Sequence, residues 1–122
     1  MKTPIDLKKM AKENTAFRRV VDTGKYGQFV LMSLRRGDDL GEEIHPTTDE
    51  FYYVVDGKAE IKLEGKTYPF EEHAAMFVPA GMRHQIVNIG KDDLKLFVLF
   101  TSPLYPTNEW IETREKALTG NV

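Results

Sequence analysis

Within the stretch GDDLGEEIHPTTDEFYYVVDG, residues 37–57, Glu43, His45 and Glu50 stand at spacings that allow them to meet. Glu43 and His45 are two apart, so in a strand their side chains leave the same face. Pro46 interrupts strand pairing there. Thr47, Thr48 and Asp49 supply a turn that re-aims Glu50, which uninterrupted alternation would send to the opposite face. A second histidine, His84, follows VPAGMR, whose Pro-Ala-Gly turn ends one strand and opens the next. That places His84 at a strand entrance, where barrel mouths carry their sites. Imidazole and carboxylate are ordinary ligands for divalent manganese, iron, nickel or zinc, and two of each balance a doubly charged ion. The chain has no cysteine, which excludes disulfides, thiolate metal sites and a cysteine nucleophile. No Ser-His-Asp ordering, P-loop or dinucleotide glycine fingerprint is present, so acyl transfer, nucleotide hydrolysis and nicotinamide chemistry have no support.

The elements that must position these residues read as short strands. YGQFVLMSLRR, EFYYVVDG, KAEIKLEG, AAMFVPAG, HQIVNIG and LKLFVLFTS combine β-branched or aromatic residues with a turn signal at one or both ends. Asp56-Gly57 and Glu64-Gly65 are candidate hairpin turns, because glycine supplies the positive φ such turns need. In AEIKLEG, Ile61 and Leu63 fall on one face and Lys62 and Glu64 on the other, the pattern of a half-solvated outer strand. LKLFVLF is instead apolar on both faces, Leu94, Leu96, Val98 and Phe100 against Phe97 and Leu99. Something must cover the second face; a terminal segment could do so, but a second subunit is the commoner cover for a chain this short, which predicts a homodimer. Helix is expected only at the ends, over Asp6 to Glu13 and over Glu109 to Leu118.

At 122 residues the chain suits one domain, 1–122, with a single core. Its 41% apolar and 30% charged residues, with a formal charge of -2 spread along the chain, fit a soluble globular protein without a nucleic-acid surface. MKTPIDLKKMAKEN has no unbroken apolar run and no later segment approaches bilayer-spanning length, so a cytoplasmic protein without membrane contact is expected.

The same residues carry a resemblance to the cupin superfamily, over roughly residues 26–101. Gly37, Glu43, His45, Glu50 and Gly57 fall on the spacing of the family's first motif, with Glu43 where the first histidine is usual. Pro79, Gly81, His84 and Asn88 match the second motif, with His73 in place of its leading glycine. The short stretch between the motifs, Lys58 to Glu72, resembles compact single-domain microbial cupins, and the Glu-x-His-Pro opening resembles an uncharacterised subgroup of them. The resemblance implies an all-β cupin jelly-roll barrel with short helical or extended termini. It also implies that Glu43, His45, Glu50 and His84 are the ligands of one divalent metal ion.

Each residue also has a plainer role available. Glu43 sits in an acidic run with Asp38, Asp39 and Glu42, His45 and His84 fit hydrogen-bonded core histidines, and Glu50 fits a strand cap. His73 reads as an exposed turn residue and not a ligand. Tyr52 and Val54 share the parity of Glu50, so they line either the pocket or the core. Arg35, Arg36 and Arg83 suit either an anionic substrate or simple solubility. Two functions compete: a metal-dependent enzyme of isomerase or dioxygenase type acting on a small polar metabolite, and a binding or sensing module for a small molecule. A metal-free sugar epimerase or isomerase, with histidine and carboxylate as general base, is a further alternative.

Overall fold

The structure, a computed structural model, describes residues 3–119. Its elements are helix α1 (Leu7–Glu13), strands β1 (Arg18–Thr23), β2 (Gln28–Leu34), β3 (Asp49–Asp56), β4 (Lys58–Leu63), β5 (Lys66–Glu71), β6 (Ala75–Val78), β7 (His84–Asn88), β8 (Leu94–Thr101) and β9 (Trp110–Ile111), then helix α2 (Arg114–Thr119). A six-stranded antiparallel sheet has the order β6-β3-β8-β2-β1-β9, and a three-stranded one the order β5-β4-β7. The inner faces of both contribute to one core, with Val30, Val54, Leu96 and Val98 from the large sheet meeting Ala59, Ile61 and Ile86 from the small one. The two sheets close over this core as a jelly-roll barrel, and the all-β expectation holds.

Two expected turns resolve differently. Glu64 and Gly65 have φ of +48° and +85° and join β4 to β5 as a two-residue hairpin, as expected. Asp56-Gly57 is not a hairpin. β3 pairs with β6 and β8, whereas β4 pairs with β5 and β7, so Gly57 carries the chain from one sheet to the other. Gly57 has φ +104°, and a Cβ there would lie 3.1 Å from both Asp93 O and Leu94 Cα, so the crossing runs tight against the start of β8.

Strands β1, β5 and β9 were not expected from the sequence. β5 contains Pro69, which a strand tolerates only at an edge, and β5 is the edge of the small sheet. The helix expected over Glu109 to Leu118 forms only from Arg114. Before it, Glu109 O and Glu112 O accept from Val20 N and Phe17 N at 2.8 and 3.0 Å, which draws Trp110 and Ile111 onto β1 as a strand. Helix α1 matches the expected span, with Asp6 as N-cap accepting from Lys9 N at 3.1 Å.

The second face of the apolar strands is covered in part by this helix. Ala11 packs with Leu31 and Val55, joined by Leu7, Met10, Phe29 and Phe97, so a terminal segment supplies part of the cover, the alternative to a second subunit that the sequence left open. Lys95, buried on the same face, fastens the arrangement by donating to Asn14 O and Ser33 Oγ. Phe51 and Leu99 remain half-buried and Phe77 is exposed, three neighbours in register across β6, β3 and β8. Among the described residues no helix is long and apolar enough to cross a membrane.

Candidate metal and ligand site

The four residues singled out in the sequence come together at one end of the barrel, between the two sheets. Glu50 stands on β3, where Glu50, Tyr52 and Val54 all point inward, so the turn before β3 does re-aim it. His84 opens β7 and is 1% exposed. Glu43 and His45 are not on a strand, as the alternation argument assumed. The segment before them runs antiparallel beside β7 instead. Asn88 N donates to Asp38 O, Leu40 N to Ile86 O and Glu43 N to His84 O, and His84 N donates back to Glu43 O at 3.0 Å. That extended geometry keeps Glu43 and His45 on one side while Ile44 faces solvent.

The second motif braces the first. Gly81, at φ +86°, donates its N–H to His45 O at 2.9 Å, and Ala80 N donates to Asp49 Oδ1 at 2.8 Å. Thr48 Oγ1 donates to Ser102 O at 2.6 Å and ties the turn to the end of β8. Asn88 is structural: its Nδ2 donates to Leu34 O and Asp92 O, and its Oδ1 accepts from Gly90 N.

Ligand atoms of Glu43, His45 and His84 all lie within 4.8 Å of one another. Glu50 joins through the histidines, with Oε2 at 3.4 Å from His84 Nε2 and Oε1 at 3.9 Å from His45 Nε2. Glu43 Oε1 is 3.7 Å from His45 Nε2 and 3.9 Å from His84 Nε2. Ligands about 2.1 Å from a common ion sit about 3.4 Å apart in a tetrahedron and about 3.0 Å apart when adjacent in an octahedron. The separations of 3.4–3.9 Å exceed these by up to about 0.5 Å for a tetrahedron and about 0.9 Å for an octahedron, so the side chains must draw together by that much to share one ion.

Two features fit these residues to a cation. Glu50 is 1% exposed, and its hydrogen-bond donor is the phenol of Tyr52, 2.6 Å from Oε1; among the described residues no lysine or arginine pairs with it. A buried carboxylate so placed calls for positive charge. His45 Nε2 is buried with no hydrogen-bond partner among the described residues. The histidines respond to the same field. The Glu43 carboxylate, too distant for a hydrogen bond, raises the His45 pKa above its ordinary value against the opposing effect of burial, with Glu50 adding to the rise. At His84 burial pulls down, but Glu50, Met82 O and Glu43 together outweigh it and the value is again raised. His84 Nδ1 lies 3.0 Å from Met82 O, so Nδ1–H donates there and the Nε2 lone pair points at the cluster. Burial, with Glu50 and Glu43, pushes the Tyr52 phenol far up, so it stays a proton donor.

Beside the cluster opens a cavity of about 370 Å³ whose wall includes Glu43, His45, Tyr52, Arg18, Tyr105 and Arg114. Arg114 reaches from α2 to Asp39, donating to its carbonyl at 2.7 Å and its carboxylate at 3.0 Å, and so fastens the C-terminal segment over the mouth. Burial likewise raises Tyr105, so it too stays protonated. The arginines flagged in the sequence lie elsewhere. Arg35 and Arg36 are exposed, and Arg83 pairs at the surface with Glu42 at 3.0 Å. Arg18, Tyr105 and Arg114 were missed. The available signal for Arg18 was its parity with Val20, an arginine on an inward face, but it required recognising β1 first. His73 is exposed and meets Tyr53 Oη at 2.8 Å, away from the cluster, as its turn position suggested.

A two-sheet barrel with a histidine and carboxylate cluster at its mouth is the architecture of a cupin, and the comparisons agree. The family model for the cupin domain matches residues 30–100, so the chain belongs to the cupin family. It is similar to an uncharacterised protein of Bacillus subtilis, YrkC, with 35% identity over 95% of this chain and 66% of that one. It is also similar to the polyketide synthase protein CurC of Streptomyces cyaneus, with 33% identity over 75% of this chain and 60% of that one. The chain thus spans about two thirds of the length of these curated relatives. The crystal structure of BH2720 from Bacillus halodurans superposes with a TM-score of 0.94 and 31% identity, covering 97% of this chain and 94% of that one.

Proposed function

We propose that this cupin binds one divalent cation through Glu43, His45, Glu50 and His84 and acts, as a metal-dependent isomerase or oxygenase, on a small polar metabolite held in the adjoining cavity. The observation that carries this reading is the buried, cation-seeking pair of Glu50 and His45 Nε2, which lie with His84 and Glu43 in one cluster of 3.4–3.9 Å contacts. When bound, the ion supplies Lewis acidity, or a redox couple where it is manganese or iron.

The remaining work falls to the chain. Tyr52 holds one oxygen of Glu50, so the carboxylate presents its other oxygen towards His84. Met82 O fixes the His84 tautomer, and Gly81 fixes the backbone of His45. Glu43, the most exposed of the four at 30% of its side chain, lies on the cavity side and is the carboxylate best placed to exchange a proton with a bound metabolite. The apolar part of the wall, including Phe17, Met32 and Phe100, strips water from the metabolite and limits its size. CurC, an enzyme of polyketide synthesis by its name, supports a catalytic role over a purely binding one.

The test is elemental analysis of protein purified without added metal, then oxygen consumption and sugar-phosphate isomerisation assays with manganese, iron, nickel or zinc restored after chelation. Catalysis that follows a restored metal supports the reading. Full activity after chelation assigns the site instead to a metal-free epimerase, and metal-dependent ligand binding without turnover assigns it to a sensing module.

A further inference from the structure

Among the described residues, the buried side-chain nitrogen and oxygen atoms without a hydrogen-bond partner are His45 Nε2 and Arg18 Nη2, and both residues line the same cavity. Unpartnered buried polar atoms are rare in folded proteins and each requires a cause. The cation accounts for the histidine and leaves the arginine unexplained.

Arg18 is held in place from several sides. It begins β1 with inward parity and is 5% exposed. Its Nε donates to Glu109 Oε2 at 2.8 Å, a pair that ties β1 to the segment leading into β9. The Tyr105 ring lies against the guanidinium face, 3.9 Å from Cζ to the ring centre. Tyr105 is itself pinned by the buried Gln28, whose Oε1 accepts from Leu104 N and Tyr105 N at 3.1 and 3.0 Å and whose Nε2 donates to Tyr105 O at 2.7 Å. A strap between two segments needs only the Nε contact. The Nη2 edge, with two further N–H groups, is not used by it.

We infer that Arg18 is the recognition residue for the metabolite, and that the metabolite is a small monocarboxylic acid whose carboxylate accepts from Arg18 Nη2 while its other, oxygen-bearing end faces the histidine and glutamate cluster. The second half of this statement rests on the metal-site reading above; the Arg18 contact does not. Nη2 offers donors alone, and a carboxylate oxygen, which only accepts, makes a stronger bond to it than a neutral hydroxyl does. A phosphate dianion suits the wall less well, because Glu109 is already bonded to the guanidinium and Glu43 faces the same cavity.

The test uses the full chain, once loaded with zinc and once treated with chelator. Binding is measured by calorimetry for ω-hydroxy acids from glycolate to 5-hydroxyvalerate, for the matching primary amides, and for inorganic phosphate. Lengthening the probe measures the span from the cluster to Arg18. At one chain length the acid is expected to bind about tenfold more tightly than its amide, a preference that falls to about twofold or less in Arg18→Gln and survives in part in Arg18→Lys. Glu109→Gln keeps Arg18 but removes its competing carboxylate, so acid binding tightens about threefold or more, which decides the matter even where Arg18→Gln fails to fold. In chelated protein the acid preference persists at lower overall affinity. Loss of all metal dependence with the Arg18-dependent preference intact would overturn the metal reading and leave this one standing. Acids that bind no better than amides at every length, absence of binding by any acid included, overturn the inference. So does an acid preference unchanged in Arg18→Gln, acid binding unchanged or weakened in Glu109→Gln, or phosphate binding tighter than every acid.

Discussion

Exchanging Glu50 for glutamine should stabilise the metal-free protein and abolish its response to metal. The side chain keeps its size, and Oε1 still accepts from Tyr52 at the 2.6 Å position. The new amide nitrogen replaces an oxygen 3.4 Å from His84 Nε2 and donates to that lone pair, forming a hydrogen bond worth about 1 kcal/mol net. Removing an uncompensated charge from a side chain 1% exposed adds about another 1 kcal/mol or more. The gain of about 2 kcal/mol corresponds to roughly 6–10 °C in Tm for a domain of this size. It should depend on pH. In the native chain His45 and His84 have raised values, so the stability they lend to the metal-free fold is full below about 6.5, the unfolded histidine value, and is lost as pH rises through the folded values. Glu50→Gln weakens that coupling, so the advantage of the variant is small at pH 5.5 and largest near pH 8. Saturating zinc or manganese at about a thousand times Kd adds about 4 kcal/mol to the native chain and little to the variant. Thermal unfolding of both proteins, with chelator and with metal, from pH 5.5 to 8.5, reads all of this. A variant that melts below the native chain at pH 8 in chelator, or that gains as much from metal, would refute the account of Glu50 as a buried carboxylate awaiting a cation.

His45→Ala and His84→Ala should each retain the barrel by circular dichroism yet bind metal about 10–100-fold more weakly; unchanged metal content in both would remove them from the ligand set. Glu43→His should shift relative preference from manganese towards nickel, copper or zinc in competition dialysis, since an anionic oxygen is replaced by a neutral nitrogen; an unchanged order means that Glu43 does not coordinate. A homodimer, proposed from the neighbouring Phe51, Phe77 and Leu99 on the outer face, should appear in light scattering and dissociate in Phe77→Glu, whereas a concentration-independent native monomer would contradict it. Gly57→Ala should lower stability by about 1–3 kcal/mol in denaturant titration, because φ +104° and the 3.1 Å approach to Asp93 O and Leu94 Cα both oppose a Cβ; a neutral effect would show that the crossing relaxes.

Features that depend on short spacings are readable along the chain. Alternation in AEIKLEG, the two apolar faces of LKLFVLF, the Glu64-Gly65 turn and the Asp6 cap are set by neighbours a few residues apart, and they match the structure. The convergence of Glu43, His45, Glu50 and His84 was implied by the resemblance to the two cupin motifs, whereas the strand assumed for Glu43 and His45 is an extended segment held beside β7. Tertiary structure decided the rest. Asp56-Gly57 looks locally like any hairpin turn, and only the pairing partners of β3 and β4 make it a passage between sheets. Trp110 and Ile111 lie in a locally helical pattern, but unpaired backbone on β1 draws them into a strand. Arg18 stands beside Arg19 in the sequence, with no motif to mark it. It becomes a cavity wall with an unpartnered nitrogen because Glu109, 91 residues away, and Tyr105 enclose it, and contacts at that separation leave no periodic trace in the chain.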